Sequence, residues 1–352
     1  MFLNLVTRAN SKNFINMLTK THNIVNNFIK ILLPIFVYSC VTTGAYAQSS
    51  FSKLVAFGDS LSDTGNIANI TFDFPFPYYE NRITDGPVAL DYIAQHIGSN
   101  ANASLHLNGQ TGGYNYAVAG GNIVGNDIED LTAQVTSYLS RVNGNADPNA
   151  LFVIFIGGND VRGIRGVTST QAAYSSIEQM LSVLITQMSR LSSAGAQNFL
   201  VSNVANIGRL PESIQRESSD PGVVSRVASY SVRYNKRLLE ELTEFVKSTK
   251  RVVRHFDVYA VLEEIINDAT SLGIVQTTVG CFDFDSFDFH PDCFSIFGIR
   301  FERFVFFDNL HPTSLTHQIV GNAMIQQLSQ PPLRNSVSTS SVAPFLMLLL
   351  DD

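Results

Sequence analysis

Lys53-Leu-Val-Ala-Phe-Gly-Asp-Ser-Leu-Ser-Asp-Thr-Gly-Asn66 begins as a short β-prone apolar run, Leu54 to Phe57, and breaks at Gly58. Just past the break it presents Ser60 among Asp59, Ser62 and Asp63. Strand ends of α/β sheets open onto a crevice, so a serine there is placed for nucleophilic work. A turn serine capping the next segment is the plainer alternative. Serine is a weak nucleophile and needs a base within hydrogen-bond reach, together with donors for a developing oxyanion.

Outward from that stretch, the chain alternates. β-like runs recur at Leu54–Phe57, Tyr114–Val118, Leu151–Ile156, Asn198–Val201 and Val252–Phe256. Helix-period segments lie between them at Val88–Ile97, Ile128–Val142, Ala172–Ser193 and Val224–Val246. Leu151 to Ile156 is apolar at every position, as in a parallel strand buried on both faces. The alternation predicts an α/β fold, a parallel sheet flanked by helices, in one large domain over 48–330.

Residues 1–47 carry Arg8, Lys12, Lys20 and Lys30 and no acidic residue, then an apolar run from Ile31 to Val41 and Ala45-Tyr46-Ala47. This pattern predicts a signal peptide cut before Gln48, and so an exported protein, secreted or periplasmic. A lipoprotein reading through Cys40 fits less well, because Tyr38 sits badly in a lipobox. Without that segment 19 basic residues face 30 acidic ones, a net charge of −11. Such a balance excludes nucleic acid as a partner and disfavours docking to anionic lipid. Cys281 and Cys293 are then an even pair in an exported chain, for which a disulfide is the default and two free thiols the alternative. The Ser/Thr-rich tail 331–352, ending near Pro344–Leu350, is too short to span a membrane and is expected to be disordered or a small docking segment. No cofactor or metal is implied, since His96 and His106, His255 and Asp257, and Glu263 and Glu264 lack ligand spacing.

A base for Ser60 is offered by His311, with Asp308 three residues before it; in a helical turn that spacing puts both side chains on one face. The carboxylate can then fix the tautomer and leave the other ring nitrogen for the serine. Thr313-Ser314 can cap a helix running to Gln327. His317, six residues beyond His311, reads as a packing residue.

Four blocks in this order, Gly58–Leu61, Gly112–Ala117 leading to Gly120, Gly157–Asp160 and Asp308–Thr313, resemble those of the GDSL, or SGNH, hydrolases. Arg82–Ala94 and Asn203–Pro211 are similar to two lesser segments of that family. The resemblance implies a flavodoxin-like three-layer α/β/α sandwich. It also implies Ser60 as nucleophile, Asp308 and His311 as its partners, and an oxyanion hole from the N–H of Ser60, the N–H of Gly120 and the amide of Asn159. Counting from Asn115 favours Gly120 over the adjacent Gly121. No Gly-x-Ser-x-Gly surrounds Ser60, so the elbow of the α/β-hydrolase fold is excluded.

Cys281-Phe-Asp-Phe-Asp-Ser-Phe-Asp-Phe-His-Pro-Asp-Cys293, followed by further phenylalanines up to Phe307, alternates aromatic and acidic residues. It reads as a disulfide-closed lid whose phenylalanines line an acyl-chain groove, or as an inert loop. The arrangement is similar to that of the secreted bacterial lysophospholipase A and glycerophospholipid:cholesterol acyltransferase group. That likeness implies a lipid ester substrate, transient membrane or micelle contact, and an activating protease acting on the 281–293 loop. The implied activity is a lysophospholipase A or phospholipase A working through an acyl-enzyme, with acyl transfer to a sterol-like alcohol as a related outcome. A short-chain or carbohydrate-ester deacetylase and a non-catalytic lipid-binding protein are the alternatives.

Overall fold

The computed structural model describes residues 51–334; the predicted signal segment and the tail beyond 334 lie outside the described residues. Four parallel strands form the central sheet: β1 (Leu54–Gly58), β2 (Leu151–Phe155), β3 (Asn198–Ser202) and β4 (Val252–Phe256), in that spatial order. Leu54 pairs with Leu151, Leu151 with Asn198, and Asn198 with Val252, so the strands run in step. Every residue of β1 and β2 is buried, which is why these strands read as continuous apolar runs.

Tyr114–Val118, predicted as a strand, lies along the free edge of β1 and bonds to it through Ala56 N–Tyr114 O (3.0 Å), Tyr116 N–Ala56 O (2.8 Å) and Val118 N–Gly58 O (3.2 Å). It forms only isolated bridges, to Ala56 on one side and Ala103 on the other. The Asn66 side chain donates to its carbonyls at Asn115 and Ala117, and Asn115 O also accepts Ser104 N–H at 2.8 Å. With this segment on one side and β2 on the other, β1 is the strand at which the chain order reverses. Its carboxyl end is therefore the open crevice of the sheet.

Helices cover the sheet in two sets. On one side α1 (Ala89–His96) packs on the final helix, α8 (Ser314–Ser329), which also touches β4 and α7 (Val258–Asn267). On the other side lie α2 (Leu131–Arg141), α4 (Thr170–Ser193) and α6 (Val223–Thr249), with α2 against β1 and α6 against β4. The short helices α3 (Gly158–Gly163) and α5 (Pro211–Arg216) fill loops beside α6. The three-layer α/β/α arrangement expected from the sequence is thus present. Beneath the second layer, rings of Tyr116, Phe57, Tyr138, Phe152, Phe199 and Phe245 follow one another at 5.6–5.9 Å, a continuous aromatic seam across the strands.

Beyond the main sheet, β5 (Gln276–Gly280) pairs in parallel with β10 (Phe304–Phe306). Between them rise two small hairpins, β6 (Phe282–Asp283) with β7 (Asp288–Phe289), and β8 (Phe294–Ser295) with β9 (Gly298–Ile299). Cys281 and Cys293 form a disulfide at their base, both cysteines fully buried. Residues 331–334, the part of the expected tail that is described, follow β4. Leu333 donates its N–H to Val253 O at 2.8 Å and packs on the core, because β4 offers an unpaired edge there. Among the described residues no helix is long and apolar enough to cross a membrane.

Candidate active site

Ser60 stands two residues past the end of β1. The turn that carries it closes through Ser62 N–H and Asp63 N–H, both donating to Asp59 O, and through Leu61 N–H donating to the Asp59 carboxylate at 3.0 Å. Gly58 is required at the bend: a Cβ there would stand 2.7 Å from Phe155 O on the neighbouring strand. Buried Gln134, from α2, bonds both the N–H and the C=O of Gly58, fixing the strand end from the side.

His311 Nε2 lies 2.9 Å from Ser60 Oγ, across 251 residues of chain. Its Nδ1 lies 2.8 Å from Asp308 Oδ2 and 3.0 Å from Oδ1. The expected helical turn at 308–311 is not formed. Asp308 Oδ1 instead accepts the backbone N–H groups of Leu310 and His311, each at 2.7 Å, and this side-chain-closed turn brings the ring over the carboxylate. The turn is anchored at both ends. Phe307 N–H donates to His311 O at 2.7 Å, and Thr313 Oγ1 donates to Phe304 O at 2.8 Å while capping α8. Thr84 and Asp85, in one of the lesser sequence blocks, bond Pro312 O and Ser314, which gives that block a task the sequence did not disclose.

The electrostatics suit a base. Burial alone raises the Asp308 carboxyl, but the His311 charge and the hydrogen bonds from His311 and Leu310 outweigh it and hold the group below its usual range. Burial lowers the His311 ring, and the Asp308 charge and hydrogen bond outweigh that, leaving it above its ordinary value. Buried Asp59, close enough to His311 to feel its charge, is pushed up to about 7, chiefly by desolvation. His317 is not part of the relay: it is buried, its Nδ1 accepts the N–H of Ala89 at 3.2 Å, and burial lowers it to about 3.

The predicted oxyanion donors separate cleanly from their neighbours. The N–H groups of Ser60 and Gly120 have no acceptor among the described residues, whereas Gly121 N–H is occupied by Val118 O. Gly120 is exposed and Gly121 buried. A side chain at 121 would press within 2.6 Å of Glu129 O, whereas Gly120 needs glycine for its φ of +89°. Asn159, at the start of α3, donates one amide hydrogen to Gly121 O at 3.0 Å, which aims the group and leaves its second N–H unused.

Two buried carboxylates hold this loop, and sequence reading did not single out either as functional. Asp63 accepts N–H groups from Gly65, Asn66, Ile67 and Ala119. Asp160 accepts those of Ile123 and Val124, and burial pushes it up to about 6. Asn115 closes the frame by donating to Ser62 O at 2.7 Å. Fourfold acceptance by one carboxylate is invisible in a sequence because its donors come from two distant loops.

From Ser60 and His311 a cleft of ≈ 900 Å³, measured out to its open mouth, runs over the strand ends. Asn159 and Arg162 stand along it, with an apolar wall that includes Phe155, Val204, Leu210, Leu262 and Phe306. Arg162 is fixed by Glu212, Nε to Oε2 at 2.5 Å. The loop 281–293, expected as a lid with phenylalanines lining the groove, stands away from this cleft. No residue of 281–293 lines this cleft, since Phe282 turns inward onto Phe307 and the tips of both hairpins point to solvent.

An acetylxylan esterase from Geobacillus stearothermophilus is structurally similar at a TM-score of 0.39 and 12% identity, over 81% of this chain and 97% of that one. Phosphatidylcholine-sterol acyltransferase of Aeromonas hydrophila is 26% identical over 245 residues, 68% of either chain. Thermolabile hemolysin of Vibrio parahaemolyticus is 30% identical over 298 residues, 80% of this chain, and the match spans 65% of that protein's length. The model of the GDSL-like Lipase/Acylhydrolase family matches residues 54–324, a span that opens on β1 and closes within α8, and the chain belongs to that family.

Proposed function

We propose that the protein is an exported serine ester hydrolase that releases fatty acids from phospholipids or lysophospholipids. Ser60 Oγ attacks the ester carbonyl as His311 Nε2 takes its proton, and Asp308 holds the imidazolium that results. The tetrahedral oxyanion is met by the N–H groups of Ser60 and Gly120 and by the spare amide hydrogen of Asn159. His311 then protonates the leaving alcohol, and water repeats the sequence on the acyl-enzyme. A sterol-like alcohol replacing that water would give acyl transfer by the same steps.

The observation that carries this reading is the 2.9 Å contact of Ser60 with a carboxylate-held His311 at the head of a long, largely apolar cleft. Its largely apolar wall suits an acyl chain. The relative named as a phosphatidylcholine-sterol acyltransferase supports a lipid ester over a sugar ester. Export is supported by the basic, acid-free leader and by a disulfide, which belongs to oxidising compartments.

The test is a panel of lysophosphatidylcholine, diacyl phosphatidylcholine and p-nitrophenyl acetate, run with the protein and with Ser60→Ala. Release of fatty acid from the phospholipids, abolished in the variant, is expected. Cleavage confined to the acetyl ester would make the protein a deacetylase instead. Unchanged hydrolysis in Ser60→Ala would show that Ser60 is not the nucleophile, and no hydrolysis of any of the three by the unaltered protein would leave only lipid binding. Activation by a protease is part of the same proposal: residues 283–288 are mostly exposed, and nicking there should raise the hydrolysis rate. An unchanged rate after complete cleavage counts against it.

A further inference from the structure

The two hairpins between Cys281 and Ile299 carry their most apolar residues at their tips, where solvent contact is greatest. In β8–β9, Ser295 pairs with Gly298, so Ile296 and Phe297 are the two connecting residues. Two-residue hairpin turns favour Asn-Gly and similar pairs, and here both positions are large and apolar, 94% and 83% exposed. In β6–β7 the loop from Phe284 to Phe287 follows the Asp283–Asp288 pair, with Phe284 64% exposed. Phe287 is also largely exposed, and it holds a φ of +57°, uncommon for an aromatic residue. Local turn preference and solvation are both spent on presenting four apolar side chains.

These tips are braced. The disulfide joins the start of the first hairpin to the residue before the second, and Phe289 meets Phe294 between them at 5.9 Å. Phe76, 66% exposed on the 71–79 loop, meets Phe289 at 6.2 Å and extends the same surface. The base is tied to the active site, because Phe282 N–H donates to Phe307 O, one residue before Asp308.

We propose that the tips Phe284/Phe287 and Ile296/Phe297, with Phe76, insert into a zwitterionic lipid surface and hold the cleft against it. Charge selects that occupant. Residues 281–303 hold Asp283, Asp285, Asp288, Asp292 and Glu302 against Arg300 and Arg303. Arg300 is paired with Glu302, and Arg303 donates to Asp292 O. An anionic bilayer repels such a segment, whereas phosphatidylcholine does not. The inference rests on the phospholipid reading above and names the surface from which that substrate is drawn.

The chain has no tryptophan, so Phe297→Trp introduces a single reporter. With phosphatidylcholine vesicles its emission should shift to the blue and be quenched by brominated chains. Phosphatidylglycerol vesicles should give a weaker response, and Val232→Trp, exposed on α6, none. The double variant Ile296→Ser/Phe297→Ser should lose at least tenfold in hydrolysis of vesicle phospholipid and keep its rate on p-nitrophenyl butyrate within twofold. Equal vesicle hydrolysis by the double variant, or no spectral response at position 297, overturns the proposal. So does light scattering that shows a dimer converted to a monomer by the double variant, since the patch would then be covered by a second copy. Insertion by a protein that cleaves only acetyl esters would sink the phospholipid reading and leave the docking surface standing.

Discussion

The Asp308 carboxylate both builds the turn that carries His311 and holds its ring, accepting two backbone N–H groups as well as Nδ1. Asp308→Asn keeps most of the shape but presents an amide to Nδ1, favouring the wrong tautomer; kcat should fall by roughly 10³- to 10⁴-fold, read in single-turnover assays. Because Asp308 raises the His311 ring above its ordinary 6.5, kcat/KM should climb with pH along a limb whose midpoint lies above 6.5. A midpoint well below that value would show that the pair is not coupled as described. Asn159→Ala removes one oxyanion donor and frees Gly121 O, and kcat should drop by about 10²- to 10³-fold with little change in KM.

At the level of elements, the catalytic turn and the oxyanion loop are not independent pieces. Asp63 spans both, one oxygen bonded to Gly65 and Asn66 and the other to Ile67 and Ala119. Asp63→Asn sets an amide donor against N–H groups, so thermal unfolding should show a loss of about 2 kcal/mol. Its kcat should fall while KM holds, because Gly120 then loses its fixed position next to Ala119. The hairpins, the side-chain-closed turn at 308–311 and the β5–β10 pair escaped sequence reading. Runs of two or three residues leave no periodicity, and the Phe/Asp alternation of 281–293 suits an extended ribbon as well as a hairpin.

Across the whole molecule, buried ionisable groups make stability depend on pH in opposite directions. His317 titrates near 3 in the folded protein against an ordinary 6.5, so the unfolded chain binds more protons between those values and stability is lost as pH falls through that window. The stability difference between the protein and His317→Gln should therefore grow in favour of the natural residue as pH rises from 3 to 6.5. Its steepest slope should be about 1.4 kcal/mol per unit in urea titrations. Asp59, raised from 3.8 to about 7, works the other way, and its contribution is lost as pH rises through that range.

The four strands of the central sheet and the four longer helices were legible in the chain alone, as was the candidate set Ser60, Asn159, Asp308 and His311 that the fold gathers at one cleft. Unbroken apolar runs, helical periodicity and short motifs are local properties. Counting from Asn115 favoured Gly120 over Gly121, but the reason, that Gly121 N–H is already bonded to Val118 O, exists only in the fold. The direction of the hairpin phenylalanines was not legible, since it depends on whether Phe307 or solvent lies opposite each ring. Sequence determined which groups are available for chemistry; the meeting of residues 60 and 311, and the carboxylates that hold the loops around them, were decided by packing, since every such contact joins segments far apart in the chain.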